Sequence, residues 1–132
     1  MRGARIQIFA HFAYMKKGMQ IYDLKTEGMK SPLGIDTARP RFSWKIRGDN
    51  AVFQSWYRIL VASEQALLMR GKADMWDSGK ILSDETLGIA YGGEPLSGFT
   101  CYYWKVEVNG VPSETGAFET AYLDKPMPHA CW

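Results

Sequence analysis

An all-β sandwich is the fold class this sequence predicts, and three observations carry that expectation. From Met19 onward, short runs of alternating apolar and polar residues are separated by Gly, Pro, Asn and Asp, the punctuation of strands and turns. Aromatic residues make up 14% of the chain, five of them Trp, so a small core has to be filled by large flat side chains. The 132 residues amount to about nine tenths of a typical domain of ~150, which leaves room for a single core.

The elements follow in order. Arg41-Phe42-Ser43-Trp44-Lys45-Ile46-Arg47 alternates strictly, so a pleated strand turns Phe42, Trp44 and Ile46 to one face and the four polar residues to water. Gly48-Asp49-Asn50 supplies a turn, and Tyr57-Arg58-Ile59-Leu60-Val61 is the next strand, with Tyr57, Ile59 and Val61 inward. Ser63 is placed to cap a short helical turn over residues 64–69, closed by Gly71. Residues 75–81 and 87–91 read as shorter strands around a turn at Ser83-Asp84-Glu85. The strands 102–108 and 117–122 complete the set on either side of a turn at Asn109-Gly110. About seven strands in this length fall within the immunoglobulin-like range.

The ends read differently. Residues 1–18 form an extension of uncertain origin: Gln7 and His11 interrupt its apolar stretch and no small-residue cleavage site follows, so it is a poor export signal and reads better as a non-native start. The sandwich is expected over 19–123. Residues 124–132 read as a linker toward a missing downstream domain, held extended by Pro126 and Pro128. No internal repeat is present, and the compartment is left open.

Charge and composition exclude several classes. Sixteen Lys and Arg against fourteen Asp and Glu leave a net +2 without a basic run, so nucleic acid is not an expected partner. No apolar stretch approaches the ~18 residues of a membrane helix. Cys101 and Cys131 are too few for a zinc site, and a strand position for one and a Pro-rich tail for the other argue against their pairing. His11 and His129 sit in the least structured segments, without partners for metal or acid-base work. Gly92-Gly93 lacks the following Lys and helix of a phosphate loop. No cofactor is implied.

Two resemblances sharpen the fold. Leu96, Thr100, Tyr102, Trp104, Val106 and Val108 fall two or four apart on one face, a pattern that resembles the sixth strand of fibronectin type III domains. Tyr102 then matches the corner tyrosine whose hydroxyl bonds back to nearby backbone, and Trp44 matches the buried second-strand tryptophan. A narrower resemblance covers Ile21 to Leu123. Its motifs are Ser31-Pro32-Leu33-Gly34-Ile35-Asp36, Pro40-Arg41-Phe42-Ser43-Trp44, Tyr57-Arg58-Ile59-Leu60-Val61-Ala62-Ser63, Trp76-Asp77-Ser78-Gly79-Lys80, Tyr91-Gly92-Gly93-Glu94-Pro95-Leu96 and Tyr102-Tyr103-Trp104-Lys105-Val106. In this order they are similar to the amino-terminal immunoglobulin or fibronectin III-like domain of bacterial α-L-rhamnosidases. The resemblance makes Trp44, Tyr57, Trp76, Tyr102 and Trp104 the structural signature. It implies a non-catalytic domain of a glycoside hydrolase that removes terminal α-L-rhamnose with inversion, its catalytic carboxylates in a helical barrel far downstream. Asn109 to Thr115 is compact where the family usually carries a longer hairpin. No catalytic residue carries over.

The acids in the chain support that reading. Asp84 and Glu85 are adjacent and diverge, Asp77 before Ser78-Gly79 most simply makes an Asx-type turn, and Asp36 before Thr37 reads likewise. Aromatics expected on the outside are Trp56, Trp76, Phe99, Tyr103 and Tyr122, with Trp132 beyond the linker. Tyr103, Tyr122 and Trp132 are the candidates for docking on the downstream domains of the same polypeptide; stacking on rhamnose-containing glycans is the alternative. A carbohydrate-binding module or a free-standing partner-binding module of the same fold are the rival functions.

Overall fold

A computed structural model describes residues 19–48 and 53–121. The extension 1–18, part of the Gly48-Asp49-Asn50 turn, the linker 124–132 and the candidates Tyr122 and Trp132 lie outside the described residues. Among the described residues the strands are β1 (Gln20–Thr26), β2 (Arg41–Arg47), β3 (Tyr57–Ala62), β4 (Trp76–Asp77), β5 (Ile89–Ala90), β6 (Cys101–Val108), β7 (Val111–Pro112) and β8 (Gly116–Glu119), and a short helix, α1 (Gln65–Met69), lies between β3 and β4. They form two antiparallel sheets, β1-β2-β5 and β4-β3-β6-β7, with β8 also on β6.

The strict alternation of β2 and β6 does what a pleat requires. Phe42 and Trp44 from one sheet and Tyr102, Trp104, Val106 and Val108 from the other are buried against each other, with Tyr57, Ile59 and Val61 of β3. The contacts are largely ring on ring: Phe42 lies 4.5 Å from Trp104 and 5.8 Å from Phe118, and Trp44 meets Tyr57 edge-on at 5.3 Å. β7 and β8 lie in turn along the same edge of β6, and their register differs by one residue across residues 113–115, a bulge. Gly116 restarts the pairing under the Trp104 indole, where a Cβ would come within 2.7 Å of Nε1.

Several elements differ from the sequence reading. β1 was not singled out as a strand, because its run is broken by a bulge between Tyr22 and Lys25, where Asp23 takes φ 55°. The strands expected over 75–81 and 87–91 shrink to two residues each, since the chain between them leaves one sheet and crosses to the other. Ser63 does not cap α1. Glu64 holds the cap position without a side-chain bond, and Ser63 instead donates its N–H and hydroxyl to Asp74 at 2.9 and 2.6 Å. The outer face of β3 is wet only at Arg58: Leu60 and Ala62 are buried with Leu68 of α1 in a second small core, which Leu67, Ala73 and Tyr103 flank.

The crossing segment depends on Gln54, a buried polar residue with both ends of its amide used. Its Oε1 accepts from Trp44 Nε1 at 2.9 Å, and its Nε2 donates to the carbonyls of Ser83 and Glu85 at 3.0 and 2.6 Å. Backbone bonds complete the tie: Ile81 exchanges two with Tyr57, and the Trp44 N–H donates to the Thr86 carbonyl. Gln54→Leu keeps the volume and leaves one donor and two carbonyls without partners. It is expected to lower stability by about 2 to 3 kcal/mol, read as an earlier urea midpoint with an unchanged slope.

Candidate functional site

Two of the acidic side chains nearest an aromatic ring, Asp74 and Asp77, are committed to holding strands and turns. Arg58 of β3 grips Asp77 of β4 with two bonds, Nε to Oδ1 at 2.8 Å and Nη2 to Oδ2 at 2.6 Å, and the Gly79 N–H donates to Oδ1 at 2.9 Å. The last contact is the Asx turn, with Gly79 at φ 70°. The Arg58 guanidinium holds the Asp77 carboxyl below its ordinary range, so at neutral pH this acid has no proton to donate. Asp74 is taken by Ser63. Ser83 Oγ accepts the Glu85 N–H within the crossing segment, in keeping with a turn. Among the described residues, no group of three or more His, Cys, Asp or Glu could hold a metal ion.

Asp74, Asp77, Glu94, Gly92 and Gly93 line an open concavity beside Trp76. Its aromatic ring is not a free platform. Trp76 is half-buried, 6.4 Å from Phe42 and edge-on to Tyr91 at 5.3 Å, and Gly92 lies so close to the indole that a Cβ there would meet it at 3.4 Å. Tyr91 closes the back of this corner, its hydroxyl donating to the Glu94 carbonyl at 2.5 Å, and burial pushes its pKa far up. Trp56 is half-buried with Lys80 Nζ 4.9 Å above its ring.

The opposite end is organised by the corner before β6. The Tyr102 hydroxyl accepts the Ser97 N–H at 2.8 Å, five residues back along the chain. Thr120, which follows β8, fastens the same corner: its hydroxyl donates to the Ser97 carbonyl at 2.6 Å and accepts the Thr100 N–H at 3.0 Å. Residues 32–35 run parallel to the end of β8, with Ile35 bonded to Glu119 and Ala121 and the Glu119 N–H donating to Pro32. The sequence reading has residues 31–36 as a family motif and Thr120 within the strand 117–122, but it pairs neither with the other and gives Thr120 no part in the corner. Their signal is weak, a lone Thr after Phe-Glu and a Pro-Leu-Gly segment that looks like a loop.

Between that edge and β6 lies an apolar groove of about 210 Å³, lined by Ser31, Pro32, Leu33, Cys101, Tyr103, Ala117, Phe118 and Glu119. Leu33 is 66% exposed on its rim, and Phe99 stands 44% exposed nearby with its N–H on the Ala121 carbonyl. Tyr103 faces away from Tyr102 and Trp104, but it is not a free outer ring. It is half-buried, with one side on the Leu60, Ala62 and Leu68 cluster and the other on the groove. Cys101 corrects a further expectation: its sulfur is in a disulfide, and the bonded partner lies outside the described residues. Strand position did not isolate Cys101, because it pairs with Glu119 and so sits beside the point where the chain leaves the sheet.

A two-sheet aromatic core, a bonded tyrosine corner and the tie of Asp77 to Arg58 define an immunoglobulin-like β-sandwich domain. The chain belongs to the family described as the Rha78A-like, N-terminal immunoglobulin domain, which matches residues 21–124. It is similar to the alpha-L-rhamnosidase of Streptomyces avermitilis, 36% identical over 121 residues that cover 86% of this chain and 12% of that protein. The crystal structure of the Streptomyces avermitilis alpha-L-rhamnosidase complexed with L-rhamnose matches at TM-score 0.71 and 36% identity, over 79% of this chain and 11% of that one. The alpha-L-rhamnosidase structure from Dictyoglumus thermophilum matches at TM-score 0.73 and 34% identity, over 78% of this chain and 12% of that one. The chain therefore spans 11 to 12% of the length of these relatives and corresponds to a non-catalytic N-terminal domain.

Two measurements check the local chemistry. Tyr102→Phe removes the acceptor of the Ser97 N–H and should cost about 1 to 2 kcal/mol, while Tyr103→Phe should cost clearly less; denaturant midpoints compare them directly. The lowered Asp77 pKa means that its contribution is present above the unfolded value near 4 and is lost as pH falls through the lower folded value. The pair is half-exposed, so the contribution is screened to about 0.5 kcal/mol. Between roughly pH 5 and pH 2, the wild-type chain should lose more stability than Asp77→Asn by about that amount.

Proposed function

We propose that this domain serves as the non-catalytic N-terminal brace of an α-L-rhamnosidase that removes terminal α-L-rhamnose with inversion. In this reading it docks on the downstream domains of the same polypeptide. The observation that carries the reading is the family match over residues 21–124, aligned with the N-terminal portion of alpha-L-rhamnosidases. The commitment of Asp74 and Asp77 to Ser63 and Arg58 supports it, since an inverting site needs two carboxyl groups free to face a sugar across ~6.5 to 9.5 Å. The docking face is the end where the chain leaves β8, near Leu33, Phe99 and Tyr103, with Tyr122 and Trp132 as the aromatics contributed from beyond the described residues. A following domain on a short, proline-stiffened connection is held at this end, and contacts of the interdomain kind bury ~600 to 1,500 Å².

The isolated chain should hydrolyse no aryl α-L-rhamnoside. In a polypeptide that includes the following domains, Leu33→Asp and Phe99→Asp should speed protease cutting in residues 124–132 and leave the unfolding midpoint of the isolated sandwich nearly unchanged. Saturable tryptophan quenching by a rhamnosylated glycan, abolished by the same substitutions, would transfer the face to the carbohydrate-binding reading.

A further inference from the structure

The turn between β6 and β7 is Asn109-Gly110, and of the two asparagines in the sequence, Asn50 and Asn109, only Asn109 precedes glycine. Both turn residues take positive φ, 52° and 88°, as a two-residue type I′ hairpin requires. The Asn109 side chain reaches 53 to 56 residues back along the chain. Its Oδ1 accepts the N–H groups of Ser55 and Trp56 at 2.8 and 3.2 Å, and its Nδ2 donates to the Phe53 carbonyl at 2.7 Å. The Asn109 N–H adds a bond to the Trp56 carbonyl at 3.2 Å. One amide thus clips residues 53–56, the approach to β3, which also carries Gln54 and its tie to Trp44 and the crossing segment.

We propose that Asn109 is a spontaneous deamidation site held in check by the fold: its amide is converted to an acid when residues 53–56 lift from the turn, and the product no longer closes the clip. The chemistry is intramolecular. The Gly110 backbone nitrogen gives its proton to solvent and attacks Asn109 Cγ, the Cγ–Nδ2 bond breaks, and Nδ2 leaves as ammonia. Water then opens the cyclic imide at either carbonyl, giving aspartate or its isomer, in which the backbone runs through the side-chain carboxyl. Glycine favours the first step because it has no Cβ to shield its nitrogen. The native turn opposes it. A type I′ turn holds ψ of its first residue at about +30°, which sets Cβ nearly opposite the Gly110 nitrogen across the Cα–C bond, so the ring closes only if the turn is undone. The three side-chain bonds add to this by keeping the amide on residues 53–56. The two N–H groups on Oδ1 polarise Cγ, but with no nitrogen in reach that activation goes unused. In the product, a carboxylate still accepts from Ser55 and Trp56 but has nothing to donate to the Phe53 carbonyl and meets it oxygen to oxygen. The isomer also lengthens a two-residue turn by one backbone carbon. The site does not depend on the rhamnosidase reading.

The test holds the 132-residue chain in mildly alkaline buffer, with and without denaturing urea, and samples it over time. After reduction and tryptic digestion, the peptides of residues 48–58 and 106–132 are scored by mass for conversion of amide to acid and by fragmentation for the isomer. In urea, Asn109 should convert well ahead of Asn50, whose neighbour Ala51 carries a Cβ. Without urea, conversion at Asn109 should be at least about tenfold slower, because it follows the population of the opened clip. Hydrogen exchange of the Ser55 and Trp56 N–H groups reads that population directly, and the slowing should be no smaller than their protection. The converted chain, separated by its added charge, should be cut by chymotrypsin after Phe53 roughly threefold faster than the fresh chain, and Asn109→Asp should behave in the same way. Equal conversion with and without urea, a slowing smaller than the protection of Ser55 and Trp56, or a converted chain cut after Phe53 at the fresh rate would each overturn the proposal.

Discussion

Phe42 and Trp104, 4.5 Å apart between ring centres, are the contact on which the two sheets meet. Phe42 is the second residue of β2 and Trp104 lies midway along β6; each is essentially without solvent exposure, and the remaining rings of the core are arranged around them. Rings of this size set the spacing of the sheets, and that spacing determines which neighbours must be small. Gly116 can pass beneath the Trp104 indole because it has no Cβ, and the bulge across residues 113–115 delivers it there in register. The hairpin after β6 is compact because it has to bring a glycine to a particular tryptophan.

Around that contact the polar groups are satisfied in two places by side chains that bridge distant segments. Gln54 links β2 to the segment that crosses between the sheets, and Thr120 links the end of β8 to the corner before β6. Both are buried, and both answer the same difficulty: a chain that changes sheets leaves backbone groups with no ladder to join. An amide with a donor and an acceptor end, or a hydroxyl that does both, is the smallest group able to serve two such segments at once.

The legible part of this fold was the part governed by period two. Strands β2 and β6 and the inward face of β3 follow directly from alternation, and the family motifs that lie on them led to the rhamnosidase N-terminal domain. What alternation could not convey was anything decided by a third layer or by crossing chains. Leu60 and Ala62 sit at positions that a two-layer pleat assigns to solvent, and only the five-residue helix packed over them makes them core. Tyr103 was placed on the correct face, but the same helix makes it a half-buried wall rather than an open ring. Ser63 stands one residue ahead of the helix cap and belongs to Asp74, eleven residues on, a pairing that no local pattern encodes. Cys101 illustrates the limit most simply, because its relation to the exit of the chain exists only once β8 has been laid against β6.

The parallel pairing of residues 32–35 with the end of β8 gives this end of the domain a mechanical character. The Ile35 N–H and carbonyl bind Glu119 and Ala121, so the bonds lie across the direction in which the chain departs. A pull on that departing chain loads them together, in shear, whereas a frayed hairpin end would open one bond at a time. A load applied at Ala121 along the strand is therefore met by these lateral bonds before it reaches the aromatic core.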